Sequence, residues 1–197
     1  QASAKVDPEL RLVTVQIYND AMAEIQEESG QRLFPMALLP WWDVKEAVKE
    51  TERCIAMGLR GININSDPHT VKDESGNFIP DLGTEHWYPL WELCQDKDLP
   101  INFHIGSSET SIDWMGNMGW PGLSRDLYSG IMGAMIFFNN GKTVSNLIYS
   151  GLLDRYEKLK FVSVESGVGW VPFLKHALDY QLKEIAETKS FGKKPSD

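Results

Sequence analysis

The sequence predicts an α/β fold built on a parallel sheet, a partial (β/α)8 barrel of about four βα units, or half-barrel. Three observations support this prediction. Short apolar segments alternate with segments of helical periodicity, no two neighbouring apolar segments are joined by a hairpin-length turn, and the connections between them are long enough to hold helices. Parallel strands need such crossover connections, which are right-handed in nearly all known cases.

The first half of the chain carries two predicted helices and two predicted strands. Residues 8–28 have the apolar periodicity of a helix. Residues 33–39 form a continuous apolar run, which suits a strand buried on both faces. Asp43 is a suitable N-cap for a second helix that Gly58 ends, and residues 59–65 then form the second strand.

The second half repeats the alternation. The strands are expected at residues 99–106 and 160–167, and the helices at residues 85–97, 128–138, 142–151 and 169–187. Long loops, residues 66–83 and 107–126, follow the second and third strands, whereas the helix-to-strand connections are short. Ligand sites of parallel α/β folds lie at the carboxyl ends of the strands, so we expect the site on the face with the long loops.

Composition sets limits on the class of protein. With 197 residues, of which 42% are hydrophobic and 11% aromatic, we expect one folded domain over residues 1–197. The net charge of −9 and the lack of a Lys/Arg-rich block argue against a nucleic-acid partner. Cys54 and Cys94 fall in separate predicted helices and read as free buried thiols, and no segment has the roughly 20 apolar residues of a membrane span. We therefore expect a cytoplasmic protein with no membrane contact.

A sheet of only four parallel strands would expose two edges, which proteins usually cover or close. We therefore expect this chain to be the central fragment of a barrel. Either further strands lie outside this sequence, or the half-barrel pairs with a second copy. The second alternative predicts a homo-oligomer, most simply a dimer.

Two polar side chains close the third and fourth predicted strands. His104 ends the segment LPINFHIG, and Glu165 ends the equivalent segment KFVSVESG. Because the carboxyl ends of neighbouring parallel strands converge, this imidazole and this carboxylate predict a metal or proton-transfer centre. The alternatives are a histidine that caps the backbone of the next loop and a carboxylate that accepts hydrogen bonds from loop amides.

Four other residues are candidates for binding a small-molecule substrate. Asn63 and Asn65 end the second strand and share a face by alternation, although both residue types are also ordinary turn formers. Trp114 lies in an apolar loop that could line the site, and Arg125 could clamp a substrate carboxylate. The alternative for this loop is packing on its own aromatic residues or on a neighbouring subunit.

Several segments, in this order along the chain, resemble the amidohydrolase-related (amidohydrolase 2) family, which includes aminocarboxymuconate-semialdehyde decarboxylase and γ-resorcylate decarboxylase. They are RLFPMALLP at 32–40, AMGLRGI at 56–62, LPINFHIG at 99–106, SGLLDRYEKLK at 150–160 and ESGVGWVP at 165–172. The resemblance implies a TIM-barrel enzyme with a divalent metal, zinc or alternatively manganese. It also implies hydrolysis or decarboxylation of a small carboxylated or cyclic organic substrate.

The resemblance also assigns roles to residues. His104 matches the central metal-binding histidine of the family. Glu165 stands where decarboxylase members have a second, catalytic histidine, which leaves Glu165 as a metal ligand or general base. The family's His-x-His ligand pair and its final aspartate ligand have no counterpart in this sequence. We therefore expect weak or absent metal binding and no turnover by this chain alone. The alternative function is that of a catalytically inactive half-barrel, stable as a homo-oligomer.

Overall fold

A computed structural model of the chain describes residues 7–73, 75–108, 120–185 and 194–197. Its centre is a four-stranded parallel sheet in the order β1-β2-β3-β4, which confirms the predicted α/β class. The strands are β1 (Ala37–Leu38), β2 (Ile62–Asn63), β3 (Ile101–His104) and β4 (Phe161–Val164). All four are shorter than the apolar runs predicted. Pairing between β1 and β2 extends over only two residues of each strand. Pro35, ahead of β1, has no N–H to donate to a neighbouring strand.

Helices connect the strands. They are α1 (Pro8–Glu28), α2 (Val44–Ala56), α3 (Tyr88–Asp96), α4 (Arg125–Met135), α5 (Asn139–Tyr149), α6 (Leu152–Arg155) and α7 (Trp170–Glu184). Short 3₁₀ turns lie at Pro68–Thr70, Glu85–Trp87 and Ile136–Phe138.

Local capping sets the helix boundaries. The side chain of Asp43 accepts hydrogen bonds from the amides of Lys45 and Glu46, which confirms it as the N-cap of α2. The helix predicted from residue 128 instead begins at Arg125, because the Ser124 hydroxyl caps it. The sequence did not predict α6, a single turn that follows the left-handed Gly151 (φ 71°).

One face of the sheet packs against helices. Ala37, Ile62, Ile101 and Phe161 lie side by side in the strand register. The first three of these residues are at most 1% exposed, and Phe161 packs edge-on against Trp91 of α3 with ring centroids 5.4 Å apart. The adjacent row, Leu38, Asn63, Asn102 and Val162, points to the opposite face because side chains alternate along a strand.

The outer edge of β1 is covered by a side chain rather than by a strand. Asn19 of α1 donates to the carbonyl of Leu38 at 2.9 Å and accepts from its amide at 2.8 Å. Both backbone groups that would otherwise face an open edge are therefore satisfied. At the other side of the sheet, β4 is the last strand within the described residues.

Both cysteines are free and buried, as the sequence predicts. Burial raises the pKa of each thiol, Cys54 and Cys94, from 9.0 to about 12. At neutral pH this shift leaves ~1000-fold less thiolate than an exposed cysteine has, and the thiolate is the reactive form. We expect a disulfide reagent such as DTNB to label neither thiol rapidly in the native chain and both in denaturant. Rapid labelling of one thiol in the native chain would contradict its burial.

No helix among the described residues is long and apolar enough to cross a membrane.

Candidate functional site

His104 and Glu165 meet at the carboxyl ends of β3 and β4. His104 is the last residue of β3 and pairs in register with Val164, the last residue of β4. Glu165 follows at once, and its Oε2 lies 2.8 Å from His104 Nε2. The side chains remain 43% and 66% exposed, so a small molecule could reach both. The structure thus brings together the two residues that the sequence singles out.

The other ring nitrogen of His104 is also engaged. Nδ1 lies 2.6 Å from the carbonyl oxygen of Ile105, which can only accept, so Nδ1 is the donor in this contact. A histidine that binds metal through Nε2 commonly donates Nδ1–H to a backbone carbonyl, which fixes the tautomer and the orientation of the ring. The local geometry of His104 therefore fits a metal ligand, with the Glu165 carboxylate as the adjacent oxygen donor.

Glu165 adopts a left-handed backbone conformation, with φ of 53°. Non-glycine residues rarely occupy this region, and such strain persists only where the surroundings enforce it. The hydroxyls of Ser163 and Ser166 meet across the turn at 2.6 Å, and Gly167 follows with φ of 61°. The turn directs the Glu165 carboxylate to His104.

Asn63 and Asn65 have different surroundings. Asn65 is 2% exposed, and its side-chain oxygen accepts from the amide of Asp67 at 2.9 Å, which is the turn-forming alternative. Asn63 lies on the sheet face opposite the helix-packed row, and its Oδ1 is buried with no hydrogen-bond partner in the described part of the chain. Asn63 Oδ1 is thus unpaired among the described residues but buried, whereas Asn65 uses its acceptor in the turn.

Arg125 and Trp114 were the other predicted substrate contacts. Arg125 is the exposed first residue of α4 and, within the described ranges, forms no ion pair with Glu165 or any other acid. Trp114 lies outside the described residues.

A second polar cluster joins the loops after β2 and β3. Asp67 is 3% exposed and accepts from the hydroxyls of Ser108 at 2.5 Å and Ser66 at 3.2 Å. The hydroxyls of Ser66 and Ser107 are also 3.2 Å apart. These bonds tie the loop that leaves His104 to the neighbouring loop. A serine in a long loop carries no sequence signal for such a role.

The remaining histidines stand apart from this pair. His69 and His176 are exposed. His86 packs on Trp87 with ring centroids 5.1 Å apart, and burial lowers the pKa of its imidazole. Across the described ranges, no group of three or more His, Cys, Asp or Glu residues is arranged to hold a metal ion. At the strand ends, the described residues bring together two candidate ligands, His104 and Glu165.

Comparison with known proteins identifies the family of this chain. Residues 7–191 match the model of the amidohydrolase family. The chain belongs to that family. It is 26% identical over 182 residues to γ-resorcylate decarboxylase of Polaromonas sp. (strain JS666 / ATCC BAA-500), an alignment that covers 89% of this chain and 51% of the relative. The chain thus spans about half the length of the curated relative it matches.

Two solved structures show the same fold. An amidohydrolase from Mycobacterium avium subsp. paratuberculosis K-10 superposes with a TM-score of 0.72 at 22% identity, covering 96% of this chain and 46% of that one. A dihydroxybenzoic acid decarboxylase from Polaromonas sp. JS666, with bound manganese and the inhibitor 2-nitroresorcinol, gives a TM-score of 0.66 at 22% identity, covering 97% and 55%. Both are similar over nearly the whole of this chain, which is consistent with a partial TIM barrel.

Proposed function

We propose that this chain forms part of a metal-dependent enzyme, a hydrolase or carbon–carbon lyase that acts on a small carboxylated or cyclic organic substrate. The observation that carries the proposal is the contact of 2.8 Å between His104 Nε2 and Glu165 Oε2 at the ends of adjacent parallel strands. Carboxyl ends of barrel strands are where enzymes of this architecture place their chemistry. The relative named γ-resorcylate decarboxylase favours a carboxylated aromatic acid as the substrate class.

His104 and Glu165 would hold the metal. Imidazole nitrogen and carboxylate oxygen suit zinc and manganese alike, and the manganese in the Polaromonas structure makes manganese the better supported candidate. A catalytic zinc site uses about three protein ligands. We propose that the ligands beyond these two come from outside the described residues, so this chain alone should bind metal weakly and turn over no substrate.

A bound divalent cation would supply Lewis-acid polarisation of a substrate oxygen. Glu165 has the exposure needed to exchange protons at its carboxylate, and His104 is oriented by its bond to Ile105. If Glu165 acts as the proton donor or acceptor instead of as a metal ligand, it could deliver, in its protonated form, the proton that the carbon takes up when it loses carbon dioxide. In a hydrolysis, the Glu165 carboxylate could take a proton from the attacking water.

Metal binding by single variants tests the proposal. We expect Mn²⁺ titration, followed by electron paramagnetic resonance, to show weak binding that His104→Ala abolishes and Glu165→Gln reduces, because each change removes or weakens one of two ligands. His176→Ala is the matched control, since His176 is exposed on α7, and should bind as the unmodified chain does. Equal binding by His104→Ala and the unmodified chain would overturn the metal assignment.

Two further measurements test the substrate class and the expected need for ligands from outside the described residues. With Mn²⁺ present, 2,6-dihydroxybenzoate should raise the melting temperature of the unmodified chain more than that of Glu165→Gln, because a ligand that binds only the folded state stabilises it. Tight stoichiometric zinc binding with measurable hydrolase activity in this chain would overturn the expectation that the chain alone binds metal weakly and turns over no substrate.

The alternative function, a catalytically inactive half-barrel stable as a homo-oligomer, also has an observation in its favour. Leu127, Ile131 and Met135 recur every four residues along α4 and are 62%, 37% and 38% exposed. Such a spacing puts them on one face of the helix, where a second copy could cover them. Light scattering against protein concentration, with and without chelator, separates the alternatives. The half-barrel predicts concentration-dependent association that chelator does not change.

A further inference from the structure

We propose that Asn140 is a positioning residue for the His104–Glu165 pair, holding together the strand ends that carry the two side chains. The proposal rests on the proposed function for its catalytic meaning, since the pair is the centre of that site. Asn140 lies in the first turn of α5 and touches neither His104 nor Glu165 by any described hydrogen bond. It acts through the backbone.

The amide of Asn140 reaches both strands at the same level. Its Nδ2 lies 3.4 Å from the carbonyl oxygen of Phe103 and 3.5 Å from that of Val164. These two residues immediately precede His104 and Glu165. The same Nδ2 donates to the hydroxyl of Ser163 at 3.0 Å. One amide group therefore spans the ends of β3 and β4, next to the two residues that must meet.

The Ser163 hydroxyl extends the contact to the strained turn. It meets the Ser166 hydroxyl at 2.6 Å, on the far side of Glu165. The carbonyl of Ser166 in turn accepts from the indole of Trp170 at 2.6 Å. These hydrogen bonds involve residues on both sides of Glu165 in the sequence. They support its backbone, whose φ of 53° must be enforced by its surroundings. Asn140 anchors that chain to α5.

Packing alone does not explain an asparagine at this position. Asn140 is fully buried, and its Oδ1 has no hydrogen-bond partner in the described part of the chain. An unpaired buried polar atom carries a desolvation cost, which an apolar side chain of similar size would avoid. The unpaired oxygen of Asn140 therefore destabilises the fold, while its NH₂ group contacts the ends of β3 and β4. This combination is expected of a side chain whose role is to position those strand ends rather than to stabilise the fold.

Nuclear magnetic resonance of the metal-free chain tests the proposal. The imidazole ¹⁵N shift of His104 Nε2, at one fixed pH, reports its bond to Glu165, and Glu165→Gln defines the shift of a weakened bond. We expect Asn140→Ala and Ser163→Ala to move the signal most of the way to that value. Ser163→Thr, which keeps the hydroxyl, should restore the signal of the unmodified chain.

Thr143→Val is the matched control. Thr143 lies one turn later on α5, is 4% exposed, and its hydroxyl has no partner among the described residues, so its loss should leave the His104 signal unchanged. If Asn140→Ala does not fold, Asn140→Leu takes its place, because leucine removes the amide at a similar volume, whereas Ser163→Ala also removes the bond to Ser166. Folded Asn140→Ala or Ser163→Ala chains with an unchanged His104 signal would overturn the proposal. Because no metal is added, failure to bind Mn²⁺ would count against the proposed function and not against this inference.

Discussion

Trp91→Ala is expected to lower the free energy of unfolding by about 3–5 kcal/mol, the range for truncating a large core aromatic. Trp91 is fully buried in α3, where its ring stacks on Trp87 at 6.0 Å and meets Phe161 of β4 edge-on at 5.4 Å. Its indole donates to the carbonyl of Leu82 at 3.1 Å. The substitution therefore leaves both a cavity under the strand that leads to Glu165 and an unpaired carbonyl.

Chemical denaturation followed by far-ultraviolet circular dichroism measures this loss. Trp120→Ala is the matched control because Trp120 is 47% exposed, and it should change the midpoint little. A domain has a total stability of about 5–15 kcal/mol, so the Trp91 variant should lose a large share of it. Similar midpoints for the two variants would contradict the packing described for the sheet.

Arg53→Leu is expected to cost about 2–4 kcal/mol, because it leaves a buried carboxylate without its cation. Glu50 is 2% exposed, and its Oε1 lies 2.7 Å from a guanidinium nitrogen of Arg53. The hydrogen bond to Glu50 raises the pKa of the Arg53 guanidinium above its ordinary value. Asn19, which donates to Glu50 at 2.6 Å, is unchanged by the substitution, so we expect a cost below that of a fully orphaned charge.

A double-mutant cycle isolates the charge. Glu50→Gln combined with Arg53→Leu should be less destabilised than Arg53→Leu alone, since the double variant buries no unpaired carboxylate. Lys49→Ala serves as the control because it breaks the exposed pair of Lys49 with Glu46, and it should leave stability within error of the unmodified chain. Additive effects of Glu50→Gln and Arg53→Leu would show that the two side chains act independently.

The boundaries of the first two helices could be predicted from the sequence because local chemistry sets them. Residues 8–28 form α1 as predicted, and α2 begins after Asp43 and ends just before Gly58. Gly58 has φ of 91°, the left-handed conformation that a glycine at a helix end supplies. Strand lengths could not be predicted in this way, because an apolar run marks burial and not the number of residues that pair with a neighbour.

The residues of the candidate site also differ in whether the sequence could predict them. His104 and Glu165 could be found because each follows an apolar strand, and parallel strands bring equivalent ends together whatever the details of packing. Asn65 also follows an apolar strand, but its side-chain oxygen accepts a hydrogen bond from the Asp67 amide in its own turn. Asn140 and Ser108 had no signal, since their roles depend on contacts with strands and loops distant in sequence.

By itself, then, the sequence determined the α/β class, the alternation of strands and helices, the burial of both cysteines, and the two side chains at the strand ends, because periodicity, caps and strand ends are local properties. Only the tertiary structure decided that an asparagine side chain would cover the edge of β1, and that Glu165 would take a left-handed conformation to meet His104. It also decided that the amide of Asn140 would join both strand ends. These features arise where distant segments pack against one another, and their free energy depends on partners that no local pattern specifies.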